Sequence, residues 1–177
     1  MIIALTLIVF TIGLCIAAAV SDFLHLKIPN LLSGLIIATF AITATLDHVM
    51  GLGLFDDIAS NLIIGVLSFG VMLICFFTGL FGGGDAKMIS ALSFWMGVIG
   101  MPVFLMVTAI AGAILAIASI TMRKTNHGQR ILSKLNAHET LHNGWIGAMV
   151  TERNVLPYGI AIACGAIGGF RAAGLLP

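Results

Sequence analysis

The chain has 177 residues, of which 60% are hydrophobic and 8% are charged, and its net charge is +1 at pH 7. A soluble globular domain carries roughly 25% charged residues. This small number of charges cannot cover a water-facing surface. A lipid bilayer must therefore surround most of the chain. The small net charge gives no sign of a nucleic-acid partner. The three cysteines form no CxxC pair, so neither a zinc ribbon nor a disulfide framework is indicated.

Apolar runs predict the fold class in chain order. A membrane-spanning helix needs about 20 mostly apolar residues. The runs lie at about 2–20, 29–46, 58–80, 86–98, 102–122 and 155–170. The fourth run is short, so we expect it to be buried among its neighbours. The prediction is an all-α fold, a bundle of six transmembrane helices that forms a single domain over residues 1–177.

The basic residues predict how this bundle is oriented. With six spans, the first, third and fifth connections lie on one side of the membrane. That side holds nearly all the Lys and Arg residues: Lys27, Lys87, Arg123, Lys124, Arg130, Lys134 and Arg153. Lys and Arg mark the cytoplasmic side, so both termini are expected outside. The polar segment 123–154 is then a cytoplasmic loop, and we expect an amphipathic helix within it.

Two acidic residues stand at the edges of apolar runs, where an ionisable group is costly and commonly functional. Asp22 directly follows the first run, and Asp85 directly precedes the fourth. The alternation of spans places both at the cytoplasmic side. Two neighbouring carboxylates cannot both ionise readily, so they share one proton. An aspartic protease uses such a pair to activate water and to protonate the scissile carbonyl. Asp22 and Asp85 are therefore the predicted catalytic residues.

The neighbourhood of these aspartates suggests separate roles. Gly82, Gly83 and Gly84 precede Asp85, and we expect positive φ angles or a close approach of a substrate strand there. Asp85 begins a helix and Asp22 ends one, so the helix dipole favours the ionised form at Asp85. We therefore expect Asp85 to be the base and Asp22 the acid. The residues alone leave open that Asp85 only caps a helix and that Asp22 is an ordinary interfacial residue.

Three segments, in this order along the chain, resemble the type IV prepilin peptidase family of GxGD membrane aspartic proteases. Gly82-Gly83-Gly84-Asp85 matches the GxGD motif, and Ala86-Lys87 continues it as in prepilin peptidases. Asp22 with Ile28-Pro29-Asn30 resembles the first-aspartate segment of that family. Leu156-Pro157-Tyr158-Gly159 resembles the motif that starts the family's last helix.

The resemblance implies that Asp22 and Asp85 form the catalytic pair and that seven residues support the site or the substrate: Gly82, Gly83, Gly84, Lys87, Pro157, Tyr158 and Gly159. It implies neither a metal nor a cofactor. The implied substrates are prepilin or pseudopilin precursors. They are cut at the cytoplasmic face of a bacterial or archaeal cytoplasmic membrane, next to a glycine that ends a short basic leader. The oligomeric state stays open.

One departure from the larger members of that family is informative. Those members carry a cytoplasmic domain with CxxC pairs between their first two helices, and they also N-methylate the new terminus. Residues 21–28 are too few for such a domain. The chain therefore resembles the small, peptidase-only branch associated with Flp/Tad pili, and methyltransferase activity is not expected.

A zinc protease is a competing hypothesis. His138-Glu139-Thr140-Leu141-His142 spells HExxH, which on a helix places two His ligands and a general base on one face. Here the motif lies in a polar loop rather than in an apolar helix, and no third ligand is evident nearby. The pattern is therefore interpreted as a chance match in a solvated loop.

Two other classes of membrane protein are also alternatives to a prepilin peptidase. A small transporter or channel component could use intramembrane carboxylates as a proton relay. Such proteins bind near mid-membrane and are built from repeats, whereas both aspartates lie at one interface and no convincing repeat is seen. A presenilin-like or signal-peptide-peptidase-like enzyme also uses GxGD, but those proteins are larger, and the Pro-Ala-Leu segment is not found in this chain.

Overall fold

The computed structural model describes residues 2–124 and 156–176, and all regular structure in them is helical. The helices are α1 (Ile2–His25), α2 (Asn30–Met50), α3 (Ile58–Phe77), α4 (Gly83–Lys124) and α5 (Tyr158–Ala172). The first four are long and apolar enough to cross a membrane, and α5 is a shorter apolar helix. The all-α class of the prediction is confirmed.

The ends of the first two helices differ from the predicted ones. Helix α1 continues to His25, so Asp22 lies in its last turns rather than in a loop. Helix α2 begins at Asn30, and Pro29 is its N-cap residue with an extended ψ of 135°. Proline fixes φ but leaves ψ free, so it can end the connection as well as begin the helix. Only residues 26–29 remain to join the two helices.

Helix α4 is broken at Gly97, where φ is 55° and ψ is −162°. This left-handed conformation is inexpensive only for glycine, and a Cβ there would lie 2.7 Å from Oδ1 of Asn61. Nδ2 of the buried Asn61, on α3, donates a 2.8 Å hydrogen bond to the carbonyl of Phe94. The side chain thus satisfies a carbonyl that the break would leave without its partner within the helix.

The two arms of α4, residues 83–96 and 98–124, run in opposite directions. Both arms pack against α5: Gly169 of α5 lies against Met96 of the first arm and against Phe104 of the second. Further along the second arm, a Cβ on Gly112 would meet the Tyr158 hydroxyl, at the opposite end of α5. The chain therefore reverses at Gly97. The predicted fourth and fifth runs form one helical element whose halves are antiparallel.

The first arm of α4 is the centre of the bundle. Met88, Leu92 and Trp95 are fully buried, as expected for a helix that is apolar on every side. The Trp95 ring packs against Phe40 and other aromatic rings, and its Nε1 donates a 3.1 Å hydrogen bond to the carbonyl of Ile36. The prediction that the fourth run is buried among its neighbours is confirmed.

Candidate active site

A cavity of about 560 Å³ opens where α1 ends and where α2 and α4 begin. Residues 21–22, 25–30 and 82–85 line it. Asp22 and Asp85 are far apart in the sequence, yet both line this cavity, and their carboxyl groups lie close enough to interact electrostatically. The fold therefore brings the two aspartates to one site.

Asp22 is held by the start of α5. Its side chain is buried, and its Oδ2 accepts a 2.8 Å hydrogen bond from the backbone N–H of Gly159. A Cβ on Gly159 would lie 2.9 Å from the Cβ of Asp22 and 3.0 Å from its Oδ2. The absence of a side chain at Gly159 is therefore what allows the first turn of α5 to approach the carboxylate this closely.

Asp85 is less tightly held. It lies in the first turn of α4 and is half-buried. One of its carboxylate oxygens lies beside Gly82, where a Cβ would be 3.1 Å away. Within residues 2–124 and 156–176, we find no hydrogen bond that fixes the Asp85 carboxylate. Helix α4 begins at Gly83, so Asp85 does not occupy the N-cap position.

The three glycines before Asp85 allow close packing rather than unusual backbone angles. None of them has a positive φ, contrary to one of the two expectations from the sequence. A Cβ on Gly84 would lie 3.1 Å from the Cβ of Ile28, and one on Gly83 would lie 3.2 Å from the Phe76 ring. Gly84 thus lets the start of α4 approach the α1–α2 connection, which brings the Asp85 segment to the Asp22 segment.

The α1–α2 connection is itself tightly bonded. Leu26 adopts a left-handed φ of 52°, which is uncommon for a residue other than glycine. Its N–H donates to the carbonyl of Asp22 at 2.8 Å. The Ser21 hydroxyl donates to the carbonyl of Lys27 at 2.9 Å. These bonds fix the wall of the cavity that carries Asp22.

A model of the type IV leader peptidase family matches residues 9–117, which is more than half of the chain. The chain belongs to the type IV leader peptidase family. Comparison with curated proteins and with solved structures gives no match. The matched region includes Asp22 and Gly82–Asp85 but ends before Pro157. Membership indicates a peptidase, which is the general activity that the sequence predicts.

The predicted support residues of this leader peptidase do not all reach the cavity. Pro157 is fully buried, and the Tyr158 ring packs edge-on against Phe81 with centroids 5.8 Å apart. Lys87 is exposed, and its Nζ donates a 3.0 Å hydrogen bond to Oδ1 of Asn30. Within the motif at the start of α5, only Gly159 bonds directly to one of the two aspartates.

Asn30 is a site residue to which the sequence assigned no role of its own. It lines the cavity, begins α2 and accepts the Lys87 hydrogen bond, so it joins α2 to α4 at the cavity mouth. In the sequence, only its position could have indicated this role, because it is a polar residue directly after Pro29 at the start of an apolar run.

Two predictions lie outside the described residues. The HExxH segment, residues 138–142, falls there. The predicted loop 123–154 begins later than expected, because α4 continues to Lys124, and the rest of the loop with its expected amphipathic helix lies outside the described residues. Among the residues that the structure does describe, no group of three or more His, Cys, Asp and Glu side chains could hold a metal ion.

Proposed function

We propose that this chain is a membrane aspartic endopeptidase that removes the leader from type IV pilin-like precursors, with Asp22 and Asp85 as its catalytic pair. The single observation that supports this most directly is the shared cavity, which two aspartates from separate helices line together. Family membership supports the substrate class. The GxGD resemblance of Gly82–Asp85 supports the aspartic type of chemistry.

Within this pair, we propose Asp22 as the base and Asp85 as the acid, which is the reverse of the assignment from the sequence. A backbone N–H from Gly159 donates to Asp22, and such a bond is stronger to an ionised carboxylate. The start of α5 adds a dipole that also favours negative charge. Asp85 has the dipole of α4, but among the described residues it has no comparable donor.

The reaction then follows general acid–base catalysis. Asp22 accepts a proton from water while the water oxygen bonds to the scissile carbonyl carbon. Asp85 gives its proton to the carbonyl oxygen. When the tetrahedral intermediate collapses, the C–N bond breaks, Asp22 passes its proton to the amine, and Asp85 recovers a proton from the diol. No cofactor is required for this balance.

The experiment that tests this function is co-expression with a candidate precursor, read by precursor size. We expect Asp22→Asn and Asp85→Asn each to slow cleavage at least about a thousandfold, the scale of losing one member of a catalytic unit. Asp57→Asn is a matched control, because Asp57 lies at the opposite end of the bundle. Cleavage at the wild-type rate by either Asp22→Asn or Asp85→Asn protein, inserted at normal levels, would refute the assignment.

We further propose that the bundle spans the membrane six times, with the cavity at the cytoplasmic face and both termini outside. The reversal at Gly97 supports six passes, because it makes the arms of α4 antiparallel. Lys27 and Lys87 lie at the cavity end, whereas Asp56 and Asp57 lie at the other end. Basic residues mark the cytoplasmic side.

Cysteine labelling tests this orientation. In a background without native cysteines, Lys27→Cys and Asp56→Cys each place a single thiol at an exposed position at one end of the bundle. An impermeant maleimide is expected to label Asp56→Cys in intact cells and Lys27→Cys only after permeabilisation. Labelling in the opposite order would overturn the proposed orientation.

The short α1–α2 connection supports the peptidase-only, Flp-type assignment. Residues 26–29 alone separate the two helices, which leaves no room for an inserted methyltransferase domain. We expect the mature product to carry an unmethylated terminal amine. Mass spectrometry of the product cut by this enzyme alone checks this, and an N-methylated terminus would contradict it.

A further inference from the structure

A lateral groove of about 460 Å³ separates α2 from α3. Both helices pack on α4, but they hardly touch each other. Gly34 and Ile37 of α2 form one wall, Val66 and Phe69 of α3 form the other, and Phe94 of α4 lies at the base. The groove is therefore mostly apolar and lies between two helices that are long and apolar enough to span a membrane.

The groove is continuous with the catalytic cavity. Asn30 lines both spaces, and Lys87, whose Nζ is bonded to Asn30, lines the groove. From Asn30, the groove follows α2 to Ile37, roughly 10 Å at the rise of an α-helix. A polypeptide with one peptide bond at the carboxylates can thus continue into the groove without leaving the protein surface.

Two features of the α2 wall suit a helix rather than an acyl chain. Gly34 has nothing within 4 Å of where a Cβ would lie, so the backbone of α2 is open to close approach. Small residues allow such approach between membrane helices. Next to it, the Ser33 hydroxyl is buried, with the residue 6% exposed, and it has no hydrogen-bond partner within the described residues.

The neighbouring Ser90 shows the contrast. Its hydroxyl donates to the carbonyl of Ala86 at 2.7 Å, the usual arrangement for a serine in a membrane helix. Ser33 makes no such bond although it lines the same groove. An acyl chain offers no acceptor to this hydroxyl, whereas a polypeptide helix offers carbonyl and side-chain oxygens. The unpartnered hydroxyl therefore favours a polypeptide occupant.

We propose that this groove binds the apolar helical segment that follows the scissile bond in the precursor. The inference rests on the proposed peptidase function and names the docking surface for its substrate. The scissile bond lies at Asp22 and Asp85, the polar leader extends to the water side, and the apolar segment packs between α2 and α3. Specificity for membrane-inserted precursors then comes from this groove, and not only from residues around the cut.

Gly34→Leu tests the groove. A leucine fills it without meeting another atom near its Cβ, and leucine is a better helix former than glycine, so the fold is kept. Gly13→Leu is the matched control, since Gly13 is equally open but lies on α1, away from the groove. Activity is measured on the whole precursor and on a short peptide that ends a few residues after the cut.

We expect Gly34→Leu to reduce kcat/KM for the whole precursor at least about tenfold more than for the short peptide, a difference of about 1.4 kcal/mol in transition-state stabilisation. Gly13→Leu should reduce neither. An equal loss on both substrates, or no loss on the precursor, would overturn the proposed docking site.

Crosslinking keeps docking separable from catalysis. In inactive Asp85→Asn protein without other cysteines, Val66→Cys should form a disulfide with a cysteine placed in the apolar segment of the precursor. The native Cys164 is exposed in a separate groove between α1 and α5, so it is the comparison site and should form no disulfide with the precursor. A lipid-only groove would give no crosslink at Val66→Cys. If the crosslink forms but wild-type protein does not cut the precursor, the docking site stands and the proposed function fails.

Discussion

At the end of the bundle away from the cavity, Asp47 and Asp57 each accept hydrogen bonds from two backbone N–H groups, whereas the two aspartates at the cavity end accept at most one among the described residues. Asp47 accepts the N–H groups of Leu54 and Phe55 at 2.8 and 3.2 Å. Asp57 caps α3 by accepting from Ala59 and Ser60 at 3.1 Å each. These two carboxylates close the connection between α2 and α3.

At the cavity end, Asp22 accepts one backbone N–H, and Asp85 accepts none among the described residues. Both face a space large enough for a peptide segment. A carboxylate that two backbone N–H groups bind has a structural role, because moving it leaves both donors without their protein partner. A carboxylate that lines a cavity with an oxygen unused is available to bind water or substrate. The number of backbone N–H groups that bind each carboxylate therefore distinguishes structural aspartates from reactive ones.

Among substitutions that test this comparison, the largest loss of activity is expected at Gly159, whose N–H donates to Asp22. In Gly159→Ala, the new methyl group would lie 2.9 Å from the Cβ of Asp22, so the carboxylate or the start of α5 must shift. A misplacement of about 1 Å can reduce the rate about a hundredfold. We expect kcat for leader cleavage to fall by that order, measured on purified protein.

Gly13→Ala is the control for Gly159→Ala, because it adds the same methyl group where nothing lies within 4 Å. It should leave kcat unchanged. If Gly159→Ala cleaves with the wild-type kcat, then the contact between Gly159 and Asp22 does not position the base.

Much of the fold could be predicted from composition and hydropathy alone. The apolar runs predicted the helices, because a chain with so few charges must bury its backbone polar groups in helices within lipid. The approach of Asp22 to Asp85 followed from span alternation and from their positions at the edges of runs. A count of crossings is enough to place two residues at the same end.

The roles that we propose for the aspartates depend on a contact that the local sequence pattern does not show. The sequence shows only the dipole of the helix to which each aspartate belongs, whereas Asp22 also accepts a hydrogen bond from Gly159 of α5, which is far away in the sequence. The six runs already predicted a change of direction between residues 98 and 102, but not that Asn61 of α3 satisfies the backbone beside the break at Gly97. Both features are long-range contacts, and local patterns carry no record of them.

A smaller effect, on stability alone, is expected at Asp47. In Asp47→Asn, one amide oxygen can still accept from Leu54, but the amide nitrogen then faces the N–H of Phe55 and leaves that donor unpaired. An unsatisfied buried donor costs about 1–3 kcal/mol. We expect the free energy of unfolding in mixed micelles to fall by about 2 kcal/mol, with kcat unchanged. A loss of kcat without a loss of stability would place Asp47 among the reactive aspartates.

The smallest effect is expected at Asp57, and two substitutions sharpen its meaning. Asp57→Ala removes the cap of α3 and should lower the free energy of unfolding by about 1 kcal/mol, whereas Asp57→Asn should cost only a few tenths, because Asn caps about as well as Asp. Mixed-micelle unfolding measures both. Equal losses would mean that the negative charge of Asp57, rather than its hydrogen bonds to Ala59 and Ser60, stabilises α3. Hydrogen-bond partners alone would then not be enough to distinguish structural from reactive aspartates.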